Sequence, residues 1–535
     1  MNTLLLTLWF IWEVKYILFW LYLWQLKEYH VGRFIDHFNT DKGKKLLLSA
    51  EQIIKLCLLF LAFTGPTIFD NVFIAVALIY LVESIFFIRN ILNKNAKHPK
   101  TTKKMIFLGL MSFVFLAIFS AGIFDLENVL QVKSLLIFDL LTPILISVIV
   151  LIFQPVIVLL RNNTLKKAEE KIKAIKLAGK LKVVAITGSY GKTSTKEFLA
   201  TILSKKFKVL KTKEHQNSEI GIAKAILGDL TLDHEIFISE IGAYNKGKVK
   251  EVCKTIIPDI GIVTGVNEQH LALFGSLENL LSAEGGGELT DALGNEGILV
   301  VNGDNRHCLN LYKKFNGHKK IYNLSNKTVN SDIWTDSIDV YKDHLSFIAI
   351  NKSKEMAHFD VSVLGKQNIQ NLLGAILIAK ELGMTFGEIS EACENIKQEF
   401  AGMTLKQNKH GIIIVDSSYS SNSDGVYADL DYLSIFSGKR IIVMPCLIEL
   451  GEKSVEIHEK IGKKIGAICD MAIVTTKDKF AEIKNGALSV GMQEKNIVLC
   501  DKPDDIYSLI TSFCKTDDAV LLEGRVPKQL IDLLK

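Results

Sequence analysis

The 535-residue chain contains no C-x-x-C pair. Its eight cysteines, Cys57, Cys253, Cys308, Cys393, Cys446, Cys469, Cys500 and Cys514, stand singly. That argues against a zinc ribbon and a disulfide framework, and it fits a reducing compartment. There is also no arginine-rich stripe with interleaved aromatics, and the formal charge of +5 is mild, so no nucleic-acid partner is expected. The N-terminus lacks a positively charged leader and a small-residue cleavage site, which argues against a cleaved signal peptide. What remains is a chain with room for three or four domains of roughly 150 residues. Its apolar excess is concentrated in the first 160 residues.

Five apolar stretches in that region are long enough to cross a bilayer, at about 3–25, 52–69, 71–90, 105–124 and 135–160. Glu13 and Lys15 interrupt the first. Three readings stand open for them: snorkelling, facing a neighbouring helix, or marking an interfacial segment. Asp139, Pro143 and Pro155 fall in the last stretch, and Asp139 is either functional or satisfied by a neighbouring helix. Basic residues cluster after the first stretch (Lys27, Arg33, Lys42, Lys44, Lys45) and after the third (Arg89, Lys94, Lys97, Lys100, Lys103, Lys104). The other connections carry mainly Asp70, Asp125 and Glu127. Basic loops stay cytoplasmic, which predicts an outside N-terminus and everything after Arg161 in the cytoplasm, in a multi-pass protein of the cell (inner) membrane. Residues 161–180 are Lys-rich and helical in pattern, a basic juxtamembrane helix expected to lie against anionic lipid.

Directly after the apolar run Val183–Ile186 comes Thr187-Gly188-Ser189-Tyr190-Gly191-Lys192-Thr193-Ser194. A buried strand ending in a Gly-rich turn that opens a helix near Thr193 aims several N–H groups and a positive helix end at one spot. This suits a polyphosphate. Lys192 would reach the β- and γ-phosphates and the Thr193 hydroxyl would hold Mg²⁺. The spacing is G-x-x-G-K-T, shorter than the common G-x-x-x-x-G-K-[ST]. Beyond it, apolar runs at 182–187, 235–240, 259–264, 297–301, 411–416, 440–445, 471–475 and 518–522 alternate with helical patterns, the signature of parallel α/β sheets. A break near Phe400-Ala401-Gly402 predicts two α/β domains, 181–402 and 403–535.

These residues resemble the Mur ligase family, the ATP-dependent amide-bond ligases of peptidoglycan synthesis, over nearly all of 181–535. The loop Thr187–Ser194, followed by Thr195-Lys196-Glu197, is similar to that of the member that adds D-alanyl-D-alanine. So are Asn217-Ser218-Glu219-Ile220-Gly221, Ser239-Glu240-Ile241-Gly242-Ala243, and Pro258-Asp259 leading to Asn267, His270 and Phe274-Gly275-Ser276. Asn302-Gly303-Asp304 resembles the adenine-proximal N-x-D, and Gln367-Asn368 stands where the family has His-Asn. Further on, Asp416-Ser417-Ser418-Tyr419-Ser420-Ser421-Asn422 resembles D-x-x-Y-N-A-N, and Glu449-Leu450-Gly451 with His458 resembles E-L-G…H.

With the α-helical membrane section (1–160) and the basic helix 161–180 read from hydropathy and charge, the resemblance implies a P-loop ATPase-type central domain (181–402) and a Rossmann-like C-terminal domain (403–535). It assigns ATP to Gly188, Ser189, Gly191, Lys192, Thr193, Ser194, Asn302, Asp304 and Asp416. Mg²⁺ falls to Thr193, Glu240, His270 and Glu284, and catalysis to Lys192, Glu240, His270 and Glu284. Substrate contacts are expected from Asn217, Tyr419, Asn422, Glu449, His458 and Arg525.

Some residues depart from the family pattern. Many members carry a carbamate-modified Lys where Ser282-Ala283-Glu284-Gly285-Gly286-Gly287-Glu288-Leu289 stands here. Glu284 would supply that negative charge directly, or a register shift would give the role to Glu288. Met403 replaces an Arg that contacts ATP. K-G-S-R becomes Glu523-Gly524-Arg525-Val526, and Ser420 and Ser423 replace the Asn and Pro of the last-domain motif. The family's UDP-sugar domain has no α/β counterpart, its place being taken by the membrane section. The expected activity is an ATP-dependent, ADP-forming ligase that adds D-alanyl-D-alanine to a muramoyl peptide through an acyl phosphate. The alternatives are a ligase acting on a lipid-linked precursor or making poly-γ-glutamate, and an ATPase-driven transporter. An amidating ligase is disfavoured by the lack of a cysteine zinc module.

Overall fold

The structure, a computed structural model, describes the chain apart from residues 1, 28, 30, 39–40, 48, 64–68, 94–96, 215, 244, 268–269, 327–329, 420–421 and 449. It divides into two units, Met1–Asn162 and Asn163–Lys535.

The first unit is helical. Its long helices are Asn2–Leu26, Ala50–Phe63, Phe69–Leu92, Lys103–Ile123 and Asn128–Ile152. Five segments are long and apolar enough to cross a membrane. The helix Asn2–Leu26 packs against the last three of these helices, burying Trp9, Trp12, Trp20 and Trp24. Phe60, Ile74, Leu110 and Ile118 point outward. The open question about the first stretch resolves toward neighbouring helices. Glu13 is buried against Thr142, and Lys15 pairs with Glu83 at 2.6 Å. Asp139 is likewise satisfied by neighbours, taking bonds from Trp9, Lys55 and Tyr80.

Two sequence boundaries need correction. The fifth apolar stretch is not one helix to residue 160: it ends at Ile152, and a new helix, Gln154–Ala178, begins with Pro155 in its first turn, where a missing N–H costs nothing. Nor is the Lys-rich segment 161–180 laid against lipid by its apolar side. Leu165, Ala168, Ile172 and Ile175 enter the core of the second unit with Ile226, Val252 and Leu299. Lys171 Nζ donates to Leu227 O at 2.9 Å, and Lys176 pairs with Asp259 at 2.7 Å. The second unit therefore starts near Asn163, not at 181.

That unit holds two sheets. The first comprises β1 (Lys182–Thr187), β2 (Val209–Lys211), β3 (Ile236–Glu240), β4 (Ile260–Val263), β5 (Ile298–Asn302), β6 (His318–Asn323), β7 (Ile333–Val340), β8 (Leu345–Asn351) and β9 (Met356–Val361), in the order β2-β3-β1-β4-β5-β6-β7-β8-β9. From β2 to β7 the pairing is parallel, and β1, flanked by β3 and β4, is buried along Val183–Ile186. Beyond that point lie strands that the sequence reading did not include: β7, β8 and β9 form an antiparallel meander.

A 3₁₀ turn, Gln398–Ala401, and Gly402 at φ 78° lead into the second sheet. Its strands are β10 (Thr404–Gln407), β11 (Ile413–Ser417), β12 (Arg440–Met444), β13 (Met471–Val474), β14 (Ile497–Leu499) and β15 (Ala519–Glu523), in the order β10-β11-β15-β12-β13-β14. All pair in parallel except β10, an antiparallel edge. Met403 is buried in the core of this domain.

Candidate active site

The turn after β1 is held open by its neighbours. Gly188 has φ 138°, and a Cβ there would stand 2.3 Å from Thr264 Oγ1. Gly191 has φ 73°, and its Cβ would stand 2.3 Å from Asn371 Oδ1. Only glycine fits either position. The Ser189 N–H donates to Gly265 O at 2.7 Å, fixing the loop against the end of β4. The helix Lys192–Leu203 then begins, with Thr193 and Ser194 in its first turn. Lys192 Nζ folds back onto the loop, donating to Gly188 O and, at 3.4 Å, to Ser189 O.

Two buried carboxylates reach this one loop. Glu240, the last residue of β3, accepts from Thr193 Oγ at 3.1 Å and from Asn217 Nδ2 at 3.2 Å on one oxygen, and from Lys196 Nζ at 3.1 Å on the other. Burial pushes its carboxyl up, but Lys196, Lys192 and the hydrogen bonds outweigh this and hold it below the ordinary range. Glu284 is 1 % exposed and accepts from Ser189 Oγ at 3.1 Å. His270 Nδ1 lies 3.2 Å from its other oxygen. The alternative for Glu284 does not reach the loop. Glu288 accepts from the Gly247 and Lys250 N–H groups at 2.6 and 2.8 Å, capping the helix Lys248–Ile256.

Asn302 is the last residue of β5, and Asp304 follows it. Asn302 Nδ2 donates to Thr264 O at 3.0 Å, and Asp304 accepts from Leu324 N at 2.8 Å and Gln370 Nε2 at 2.9 Å. Ser218, which differs from the family's Asn, is a helix cap: its Oγ accepts from Gly221 N at 3.2 Å as the N-cap of Glu219–Asp229.

The C-terminal domain contributes from its sheet edge. Tyr419 stands within hydrogen-bond reach of Thr193. Asn267 Nδ2 bridges the domains, lying 3.3 Å from Asn422 Oδ1 and 2.8 Å from Asp424 Oδ2. Asn422 also caps the helix Ser423–Leu433 through Gly425 N at 3.0 Å. Asp416 bonds Ser418 in the turn after β11, and Arg525 is exposed after β15. Glu449 lies outside the described residues.

His458 does not stand where a substrate contact was expected. It is 0 % exposed, with Nε2 accepting from Leu447 N at 3.0 Å and Nδ1 donating to Ser454 O at 2.6 Å. Burial lowers its pKa, keeping the ring neutral, and it fixes the loop that precedes its helix. The sequence reading missed a working role for Lys196, although it lies four residues beyond Lys192 on the same helical face. It also missed Asn371, and it named Gln367 without a role, whereas Gln367 Nε2 donates across the domains to Asp429 at 3.0 Å.

A Gly-rich loop flanked by two carboxylates, between a parallel sheet and a second α/β domain, is the frame of a nucleotide-dependent ligase. The Mur ligase middle domain matches residues 186–379, and the Mur ligase glutamate ligase domain matches 403–526. The chain belongs to the Mur ligase family. It is 29 % identical over 282 residues to the UDP-N-acetylmuramoyl-tripeptide–D-alanyl-D-alanine ligase of Escherichia coli K12, covering 53 % of this chain and 61 % of that protein. To the enzyme of the same name from Bacillus subtilis 168 it is 23 % identical over 389 residues, covering 71 % and 80 %. It thus spans about three-fifths of the length of several curated relatives, such as 62 % of the one from Haemophilus influenzae. Among solved structures, MurF of Acinetobacter baumannii superposes with a TM-score of 0.62 at 20 % identity, over 70 % of this chain and 80 % of that one. The MurF ligase of Thermotoga maritima in complex with ADP gives 0.60 at 24 %, over 70 % and 83 %. These likenesses establish the fold.

Proposed function

We propose that the chain is a membrane-anchored ATP-dependent amide ligase that adds D-alanyl-D-alanine to a muramoyl tripeptide. The observation that carries this reading is that Ser189 and Thr193, on one phosphate-type loop, hold Glu284 and Glu240 respectively. The curated relatives carry that activity in their names. ATP would lie on the loop through Gly188, Ser189, Gly191, Lys192, Thr193 and Ser194, with Asn302, Asp304 and Asp416 toward the nucleoside. The residues fit Mg²⁺, a hard cation that takes oxygen ligands. Thr193 and Glu240 would hold one ion, and His270 with Glu284 a second. Bound there, Mg²⁺ would neutralise charge on the transferring phosphoryl group.

The residues then divide the work. Lys192 leaves the loop carbonyls for the β- and γ-phosphates as the acceptor carboxylate oxygen attacks the γ-phosphorus and ADP departs. The dipeptide amine attacks the resulting acyl phosphate, an amide bond forms, and phosphate leaves. Tyr419 and Asn422, beside the loop, would orient the incoming groups, with Asn217 fixing Glu240. Gly402 supplies a hinge by which the two domains exclude water from the acyl phosphate. The five apolar helices support an anchor in the cell membrane with the catalytic unit in the cytoplasm. Because an apolar helical unit precedes the matched domains, an acceptor presented at the membrane, on a lipid carrier, is the second reading.

Phosphate release by the purified chain, with UDP-linked muramoyl tripeptide and D-alanyl-D-alanine offered separately and together, tests this. Release that needs both, and is absent in Lys192→Ala, supports the assignment. Release only with a lipid-linked acceptor moves it to the second reading. Release with neither overturns both.

A further inference from the structure

The helical unit encloses charge that an anchor does not need. Glu13, Lys55 and Asp139 come from three different helices and are 0 %, 1 % and 1 % exposed. Asp139 is fully provided for: Trp9 Nε1 donates to one oxygen at 2.7 Å, and Lys55 Nζ and the Tyr80 hydroxyl donate to the other at 2.8 Å each. Lys55 also pairs with Glu51 at 3.0 Å and stands 3.9 Å from the centre of the Trp12 ring.

Glu13 is not provided for. One of its oxygens meets the Thr142 hydroxyl. That hydroxyl has a single proton, and Phe138 O accepts it at 2.9 Å. The other oxygen, Oε2, is buried with no hydrogen-bond partner among the described residues. As a carboxylate, Glu13 would sit in a dry interior without an assured donor, beside Asp139 and with Lys55 already committed. As a carboxylic acid it donates to the Thr142 oxygen, whose own proton stays on Phe138 O. The hydrogen count then closes.

We propose that Glu13 is a proton-binding site of the helical unit, neutral at neutral pH and donating to Thr142 beside the ionised Lys55–Asp139 pair. The groups around it are few. The first helix also brings Lys15 and Tyr16, Ala50–Phe63 brings Glu51 and Lys55, Phe69–Leu92 brings Tyr80 and Glu83, and Asn128–Ile152 brings Asp139. The helix Lys103–Ile123 has lysines only in its first turn, of which Lys104 lies over the Tyr29 ring. Loss of the proton would set a second negative charge against Asp139, so its occupancy governs how the first helix packs on Asn128–Ile152.

Infrared spectroscopy of the full chain in detergent, with ¹³C-carboxyl glutamate, tests the proton directly. A protonated carboxyl stretch at neutral pH is expected, shifted by the label and by deuteration. It should be lost in Glu13→Gln, kept in Asp139→Asn and moved in Thr142→Val, which removes its acceptor. No labelled band that meets these conditions overturns the proposal. The thermal midpoint is a second readout. Glu13→Gln should keep it while Asp139→Asn lowers it, and an equal loss in both would mean that Glu13 is charged. Neither measurement depends on ligase turnover, so failure here is distinct from failure of the ligase reading.

Discussion

Lys196 Nζ lies 3.1 Å from Glu240 Oε2, and both side chains are almost wholly shielded from solvent, at 1 % and 8 %. The lysine is also 3.4 Å from Glu197, which in turn pairs with Lys211. A string of alternating charges thus runs inward from Lys211 to Glu240. Removing one partner of a buried pair costs about 3–5 kcal/mol because the other is left uncompensated. Lys196→Met should lose stability on that scale without magnesium. Magnesium should restore more stability to the variant than it adds to the wild type, since the ion replaces the missing cation. Thermal unfolding with and without Mg²⁺ checks both points.

By its resemblance to the family, Glu284 is expected to stand in for the carbamate that many Mur ligases need, and its carboxylate bonds Ser189 and meets His270. Phosphate release should therefore survive removal of bicarbonate and carbon dioxide. Glu284→Lys should lose turnover and regain part of it when bicarbonate is added. Dependence of the wild type on bicarbonate would mean that Glu284 is not the substitute.

Glu288, by contrast, is a capping residue. Its two bonds to Gly247 N and Lys250 N satisfy donors that the helix Lys248–Ile256 leaves open. Glu288→Ala should cost about 1 kcal/mol of stability, the usual price of a lost cap. It should leave the magnesium dependence of turnover unchanged, whereas Glu284→Gln should shift that dependence.

His458 makes stability depend on pH in a defined direction. Burial lowers its pKa from the ordinary 6.5, so below that value the unfolded chain binds a proton that the folded one refuses. Stability should fall as pH drops from about 6.5 toward the lowered folded value, and be unaffected by this residue above that window. Denaturant midpoints measured across the range should show the slope in the wild type and a smaller one in His458→Gln.

The parallel part of the fold could be read from the chain because fully buried strands are continuous apolar runs. The stretch 182–187 is β1 to the residue, and β3, β4, β5, β12 and β15 fall within a residue or two of their expected places. The meander was not legible. In β7 (Ile-Trp-Thr-Asp-Ser-Ile-Asp-Val) and β9 (Met-Ala-His-Phe-Asp-Val) one face is partly wet, so polar residues interrupt the run. β2 and β14 are only three residues long. For the site, the loop's own spacing pointed to Lys192, and the family resemblance pointed to Glu240, His270 and Glu284; Lys192 lies on the loop, Glu240 and Glu284 bond its hydroxyls, and His270 meets Glu284. It could not tell a ligand from a cap at Glu288, or a contact residue from a packed one at His458. Those distinctions depend on which N–H groups tertiary folding leaves nearby.

The helix Gln154–Ala178 has a practical consequence for anyone cutting the chain. A fragment that begins at β1, where the recognisable domain starts, discards Leu165, Ala168, Ile172 and Ile175 and opens the hydrophobic layer they close. Such a fragment would expose a sticky groove over Ile226 and Val252, and it would lose activity through aggregation without any change at the phosphate loop. The catalytic unit begins about twenty residues before its first strand.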